Sequence, residues 1–340
     1  MEFTDFRIVS FLFLPLLSFM ILIFFGNKVN AEIYARNLRS DAPAARGKLN
    51  ASGPDLPSMI KIAHQFSGAS KKEINSLTKR LTSTPKLFNI ESVFDIDLKA
   101  GIADIPRLSI KALGMSTSAK LKAKKINSAT PILNGELEAS GPDLPLIMQI
   151  VQGMQKANSE SLKLSKNLGK FKNKSFNIKT SFDTDLSLGK IDLPSLSIDT
   201  LGVSISGNLK GKNIQKNSGS MKGRVSIISK KPKPLLIALG QTDIAEVLKS
   251  IDINTDISGN SSNIGLKPLS VVAIFSGKNI PNSPVELKIR ADSKINFEKE
   301  ILDLDSLRVS GLGLDVKGKI KASKFKTNPA YTGQVTIAPF

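Results

Sequence analysis

Few residues of this chain belong to the types that support catalysis. Among its 340 residues there is no cysteine and a single histidine, His64, so thiol chemistry and thiolate metal sites are excluded. His64 stands among apolar residues of a predicted helix, with no acidic partner at a motif spacing, which favours a structural role over general-base catalysis. The sequence also lacks a P-loop, a G-x-S-x-G motif and a dinucleotide-binding motif. We therefore predict a protein that is not an enzyme, without catalytic residues or a cofactor.

Two pairs of aspartates are the remaining candidates for chemistry. Asp95 and Asp97 recur 88 residues later as Asp183 and Asp185. Clustered carboxylates are typical ligands of Ca²⁺. Residues two apart on a strand also share one face of a sheet, however. We interpret both pairs as the solvent-facing side of strands and predict no metal site.

The spacing of the aspartate pairs belongs to an internal repeat. The heptapeptide ASGPDLP occurs at Ala51–Pro57 and, unchanged, at Ala139–Pro145. Glycines at the same spacing open three successive copies: Gly47, Gly135 and Gly223. A tandem repeat of this period is typical of an extended array rather than of separate globular domains.

The repeat and the terminal segments predict the organisation of the chain. We assign a signal anchor or signal peptide to residues 1–31, and a linker to 32–46. Repeats 1 and 2 occupy 47–134 and 135–222, repeat 3 with an insertion occupies 223–332, and 333–340 begin a truncated repeat 4.

The first segment contains an uncharged apolar stretch, Ile8–Phe25, which as a helix would be ~27 Å long. It is either a membrane anchor or a signal peptide that is cleaved after Ala31. Basic residues are more frequent after the stretch than before it, which opposes export by the positive-inside rule. We nevertheless predict export, because of the repeats that follow.

Outside these segments the apolar residues alternate with polar ones, as in strands with one apolar face. The apolar face carries Phe88, Ile90, Phe94, Ile96 and Leu98 in repeat 1, and Phe176, Ile178, Phe182, Leu186 and Leu188 in repeat 2. The stretches SLGKIDLPS and GNLKGKN, which contain glycine, are predicted to be turns. The fold class predicted is mainly β, an elongated antiparallel repeat array.

One short helix is predicted in each repeat. Asp55 and Asp143 of the two heptapeptides are placed to cap the helices that follow them. In repeat 3 the apolar helix is predicted to end at Gly240, and a second one to begin near Asp243, with Glu246 at the capping-box position.

An apolar sheet face has to be covered, and two arrangements satisfy this requirement. In the first, the face packs into a dry core and the protein is a structural or scaffolding element. In the second, the sheet curves into a groove whose apolar lining holds a ligand such as an acyl chain. Periodicity alone does not separate the two.

Three stretches resemble recurring elements of the AsmA-like proteins of Gram-negative bacteria: LNGELEASGPDLPLIMQI, LPSLSIDTLGVSISGNLKG and YTGQVTIAPF. The resemblance implies a curved, taco-like β-groove on an N-terminal hydrophobic helix. That helix would cross the inner membrane once and leave the bulk of the chain in the periplasm. The resemblance also implies that phospholipid acyl chains are held in the groove and passed between the membranes, in support of outer-membrane biogenesis. The ten apolar residues above would line the groove. Family members are usually longer, so the chain would be a fragment or a short form.

The formal net charge of +19 favours an anionic neighbour. Basic clusters at Lys120–Lys125, Lys163–Lys174 and Lys230–Lys233 lack interleaved aromatic residues, which argues against nucleic-acid binding. The partners we predict are phospholipid, a membrane and other envelope proteins, with no nucleic acid.

Overall fold

The structure is a computed structural model that describes residues 28–37, 43–56, 86–148, 167–169, 171, 174–214, 219–260, 262–325 and 328–339. The apolar stretch Ile8–Phe25, His64 and most of the first two predicted helices lie outside the described residues. Among the described residues, no helix has the length and hydropathy of a membrane span. The chain divides into two compact units between Ser187 and Leu188.

The described residues of the first unit contain seven strands, each paired antiparallel with its neighbours in sequence. They are β1 (Lys28–Arg36), β2 (Ala44–Gly53), β3 (Phe88–Asp97), β4 (Ile102–Ala112), β5 (Met115–Lys124), β6 (Ile132–Gly141) and β7 (Phe176–Asp185).

In the second unit the part of the chain that the structure describes forms nine strands in the same antiparallel order and two short helices. Its elements are β8 (Lys190–Thr200), β9 (Val203–Lys212), β10 (Ser220–Ser229), α1 (Lys233–Ala238), α2 (Thr242–Val247), β11 (Leu248–Gly259), β12 (Asn263–Phe275), β13 (Val285–Asn296), β14 (Ile301–Gly311), β15 (Leu314–Ser323) and β16 (Ala330–Pro339). The predictions of a mainly β chain and of a repeated strand arrangement are confirmed.

The glycines that open each copy share one structural feature, a close approach of the preceding strand. A Cβ atom on Gly47 would lie 2.1 Å from the Glu32 carbonyl oxygen, and one on Gly135 would lie 2.4 Å from that of Lys120. Gly223 and Gly333 show the same approach, at 2.2 and 2.3 Å from the preceding strand. Glycine recurs in the sequence at these positions because no side chain fits there.

The recurring Leu-Gly pair forms tight hairpin turns between strands. Leu113 and Gly114, which join β4 to β5, have φ angles of +55° and +77°, and Leu201 and Gly202 repeat this between β8 and β9. Two-residue turns with positive φ at both positions match the twist of the paired strands. Leucine is unusual there, because its Cβ atom disfavours the left-handed region. Leu113 and Leu201 are buried, and this burial offsets the conformational cost.

Four of the described strands contain a β-bulge that keeps two apolar residues three positions apart on the same face. The flanking pairs are Ile105 and Leu108 in β4, Leu193 and Leu196 in β8, Leu266 and Leu269 in β12, and Leu304 and Leu307 in β14. A bulge inserts one extra residue, so it restores the alternation that a spacing of three would break.

The two predicted turns differ from the structure. In SLGKIDLPS only the first part is a turn, and Pro194 lies within β8 between the two residues that flank its bulge. GNLKGKN lies almost entirely within β9. The physical reason is that Gly207 provides a close approach to β10, its Cβ position being 2.2 Å from the Arg224 carbonyl oxygen.

Candidate functional site

The strand register places the predicted residues of β3 on one face of the first sheet. Phe88, Ile90, Phe94 and Ile96 lie opposite Gly53, Ala51, Gly47 and Ala45 of β2. Cross-strand partners share a face, so each large side chain of β3 stands beside a small residue. Small neighbours leave space for the aromatic rings.

Strand β7 repeats this arrangement with β6. Phe176, Ile178 and Phe182 lie opposite Gly141, Ala139 and Gly135. The residues on both strands of the pair are thus equivalent to those of β2 and β3, displaced by the repeat length.

Three predicted site residues lie beyond the strands. Leu98 follows the end of β3, where it packs against a buried cluster of Ala103, Ala123 and Ile126. Leu186 and Leu188 follow the end of β7 at Asp185, and Leu188 is exposed. Both strands end at equivalent aspartates: the Ala100 N–H donates to Asp97 Oδ1 over 2.8 Å, and the Ser187 N–H donates to Asp185 Oδ1 over 3.0 Å. These turns end the alternation before Leu98 and Leu186.

A buried cluster lies at the end of the first sheet where the heptapeptides are found. It comprises Ala51, Phe88, Ala112, Leu113 and Leu146. Phe88 and the equivalent Phe176 are only 4% and 6% exposed. Part of the apolar face therefore serves as an ordinary core.

Asp143 of the second heptapeptide makes a hydrogen bond and an ion pair at this end of the sheet. Its Oδ1 atom accepts a hydrogen bond of 2.8 Å from the Leu146 N–H, which confirms the predicted cap at the start of a helical turn at residues 144–148. Its Oδ2 atom lies 3.1 Å from Lys174 Nζ, and both side chains are largely buried. The heptapeptide ends a strand and begins a helical turn.

The middle of the face differs from its ends. Phe94 and Phe182 are half-buried, as are Leu121 and Leu137 on the strands between them. A half-buried apolar stripe flanked by two buried clusters is the feature of the first unit with the chemistry to hold an apolar ligand.

In the second unit the equivalent face carries mainly branched aliphatic residues, with Phe275 at the end of β12. Cross-strand neighbours such as Ile227 and Ile253, or Val271 and Ile289, lie opposite one another in successive strands. Three buried polar residues among those described, Ser229, Thr255 and Ser293, stand on the same face. The Thr255 hydroxyl donates to the Asp256 carbonyl oxygen over 3.2 Å. The face is therefore apolar over most of its length.

The opposite face is polar and carries cross-strand ion pairs. Arg224 Nε lies 2.7 Å from Asp256 Oδ1, and this contact lowers the pKa of Asp256 and raises that of Arg224. Asp315 Oδ2 lies 3.0 Å from Arg308 Nη2 and 3.3 Å from Lys317 Nζ. The hydrogen bond from Arg308 lowers the pKa of Asp315. Exposed pairs of this kind contribute little to stability singly.

The aspartates considered for metal binding lie on the polar face of the first unit. Asp95 is opposite Arg46 on β2 and Asp104 on β4, and Asp97 is 2.8 Å from the Arg36 guanidinium. The Ala100 N–H and Arg36 lower the pKa of Asp97. In the part of the chain that the structure describes, no group of three or more potential ligands is placed to hold a metal ion.

The predicted capping box of repeat 3 is wrong. Helix α2 begins after Gln241, whose side chain makes no capping hydrogen bond. Glu246 instead lies 2.8 Å from Lys233 Nζ on α1, and this hydrogen bond lowers the pKa of Glu246. The carboxylate joins the two helices, because a nearby ammonium attracts it more strongly than a backbone N–H.

Comparison of the chain with protein-family models, with curated proteins and with solved structures found no match.

Proposed function

We propose that the protein holds phospholipid acyl chains against the apolar face of its sheets and passes them along it. The observation that carries the proposal is the half-buried stripe around Phe94 and Phe182, at equivalent positions of two repeats. An acyl chain on such a surface loses contact with water, which is worth ~0.8 kcal/mol for each buried CH₂ group. The action is passive and requires no catalytic residue.

The remaining parts of the proposal rest on the resemblance to AsmA-like proteins. The protein would be an envelope protein of that kind, held in the inner membrane by its N-terminal segment and extending into the periplasm. The sheet would curve into a groove between the two membranes, with envelope proteins as further partners. The N-terminal segment would place the end of the groove next to its supply of lipid.

A structural or scaffolding role with a dry interior is the second candidate. It is favoured by Phe88 and Phe176, which are buried in the manner of core residues. The two candidates differ in what Phe94 and Phe182 contact, an acyl chain or protein.

The test uses the full chain, purified in several detergents and extracted for lipid mass spectrometry. We expect co-purifying phospholipid, and we expect the double variant Phe94→Asp, Phe182→Asp to lose it while its circular dichroism keeps the β signal. Carboxylates on an acyl-binding surface oppose an apolar ligand because they would have to be desolvated.

Val93→Asp is the matched control, since Val93 lies beside Phe94 on the other face, opposite Lys48 and Arg107. This variant introduces the same carboxylate into the same strand and is expected to retain the lipid. Absence of lipid from every wild-type preparation would contradict the proposal. Unfolding of the double variant with an intact control would support the dry interior.

A further inference from the structure

A concave basic surface lies on the polar side of the second unit, where β8 to β11 run side by side. Its volume is about 640 Å³, and its lining includes Lys210, Lys212, Lys222 and Arg224, against two acidic residues, Asp192 and Asp256. The surface is on the opposite side of the sheet from the apolar face.

The strand register places two lysines of this surface side by side. Lys210 of β9 lies directly opposite Lys222 of β10. Directly opposed residues have Cβ atoms about 5 Å apart, and like charges at this spacing repel each other. On its other side Lys222 is opposite Ser258 of β11, which is neutral.

Both acidic residues named above form ion pairs with basic residues of the same surface. Asp192 lies 3.2 Å from Lys210 Nζ, and Asp256 lies 2.7 Å from Arg224 Nε. Among the residues that the structure describes, Lys212 and Lys222 have no ion-pair partner. Both are exposed, so their charges face the concavity without a counter-charge from the protein.

The same position in the preceding repeat carries less positive charge. Eighty-eight residues before Lys222 and Arg224 the chain has Asn134 and Glu136. Glu136 there pairs with Lys120 at 3.3 Å, and Lys122, the equivalent of Lys210, lies 3.7 Å from Asp104. Two directly opposed lysines therefore distinguish the β9–β10 pair from the equivalent β5–β6 pair, where Lys122 is opposite Asn134.

We propose that this concavity binds a phosphate-bearing anion between Lys210, Lys212 and Lys222. An ammonium group is a compact point charge that suits phosphate oxygens, and a phosphate between the opposed lysines relieves their repulsion. Phospholipid headgroups and soluble polyphosphates share this chemistry. The inference is independent of the acyl-chain proposal, which concerns the other face of the sheet.

The experiment compares two double variants of the full chain that each remove two positive charges. Lys210→Gln with Lys222→Gln alters the concavity, and Lys122→Gln with Lys124→Gln alters the equivalent position of the preceding repeat. The soluble probe is inositol hexakisphosphate, titrated calorimetrically. The membrane probe is sedimentation with vesicles of phosphatidylglycerol and phosphatidylethanolamine, against vesicles of phosphatidylcholine alone.

We expect the first variant to weaken binding about tenfold and the second to change it less than about twofold. Added salt is expected to weaken binding by the wild type. Binding of the hexakisphosphate alone identifies a soluble polyphosphate as the ligand, and binding of the anionic vesicles alone identifies headgroups. Equal weakening of binding in both variants would attribute binding to net charge alone and would overturn the proposed site. The absence of binding to both probes at low ionic strength would also overturn it.

Thermal unfolding supplies a second readout. Removing one of two opposed lysines relieves repulsion, so Lys222→Gln is expected to raise the melting temperature in the absence of anion. The anion is expected to raise the melting temperature of the wild type but not that of the variant. A lower melting temperature for the variant in the absence of anion would contradict the arrangement of charges described above.

Discussion

Phe182 lies across Gly135 of the neighbouring strand, with its ring at the position that a side chain on the glycine would occupy. A Cβ atom on Gly135 would stand 2.9 Å from Phe182 Cζ and 2.4 Å from the Lys120 carbonyl oxygen. The ring and the carbonyl approach from two different strands, β7 and β5. Glycine is thus required both by the path of the backbone and by the packing of the aromatic face.

The first prediction follows from this contact. Gly135→Ala is expected to lower the free energy of unfolding by about 1–3 kcal/mol, because a backbone carbonyl cannot move aside as a flexible side chain can. Urea denaturation followed by circular dichroism measures the change. Gly265→Ala in β12 is the control, since its nearest neighbour is the Ser258 hydroxyl at 3.2 Å, and a change of less than about 1 kcal/mol is expected. Equal losses in both variants would refute the role of the close approach.

The second prediction concerns the bulge of β4. Deleting Pro106 leaves Ile105 and Leu108 two positions apart, so a regular strand keeps both on the apolar face. We expect this deletion variant to fold, with a cooperative unfolding transition. Deleting Ser109 in the same strand brings Leu108 next to Ile110 and moves one of them to the polar face. That variant is expected to lose the transition, and the reverse result would show that the bulge has another purpose.

The third prediction compares two leucines in equivalent hairpin turns. Leu113 and Leu312 have φ angles of +55° and +54°, but they are 3% and 51% exposed. Asparagine tolerates the left-handed region better than leucine. Leu312→Asn is therefore expected to raise the free energy of unfolding by about 1 kcal/mol. Leu113→Asn is expected to lower it by about 2 kcal/mol, because its burial is lost. Chemical denaturation of the two variants and the wild type measures these free energies of unfolding. A loss of stability in both variants would contradict the prediction.

The alternation of apolar residues was sufficient to predict the faces of β3 and β7. Phe94 and Phe182 share the apolar side with their neighbours because a period of two has only one structural solution in a sheet. The repeat spacing likewise identified Gly47 and Gly135 as equivalent, although the close approach that requires glycine is visible only in the paired strands.

The bulges and the Leu-Gly turns were not predicted, for two different physical reasons. The sequence around Pro194 breaks the alternation, and a proline in such a break is as typical of a turn as of a bulge. Leucine at positive φ contradicts its local conformational preference, and at Leu113 burial of the side chain offsets this cost.

The basic concavity was not predicted either. It depends on the register of β9 against β10, because Lys210 and Lys222 are not neighbours until the strands pair.

The last prediction concerns pH and the ion pairs of the polar face. The pKa values of Asp97, Asp256 and Asp315 lie below the ordinary value of 3.8 in the folded protein. The unfolded chain therefore binds more protons in acid, and stability rises with pH in this range. The contribution of the three carboxylates is complete above the ordinary value and is lost as the pH falls through their folded values. Urea midpoints measured at about pH 6 and about pH 3 are expected to differ accordingly.

Removing the cations tests this account. Arg36→Gln, Arg224→Gln and Arg308→Gln, combined, are expected to lower the midpoint at neutral pH and to reduce its fall in acid. This follows because the arginines contact the three carboxylates. The control changes Lys111, Lys278 and Lys319 to Gln, which removes the same charge from lysines that have no ion-pair partner among the described residues. It is expected to keep the full acid-induced fall. An equal reduction in both triple variants would attribute the pH dependence to net charge, since specific pairs respond only to the loss of their own partners.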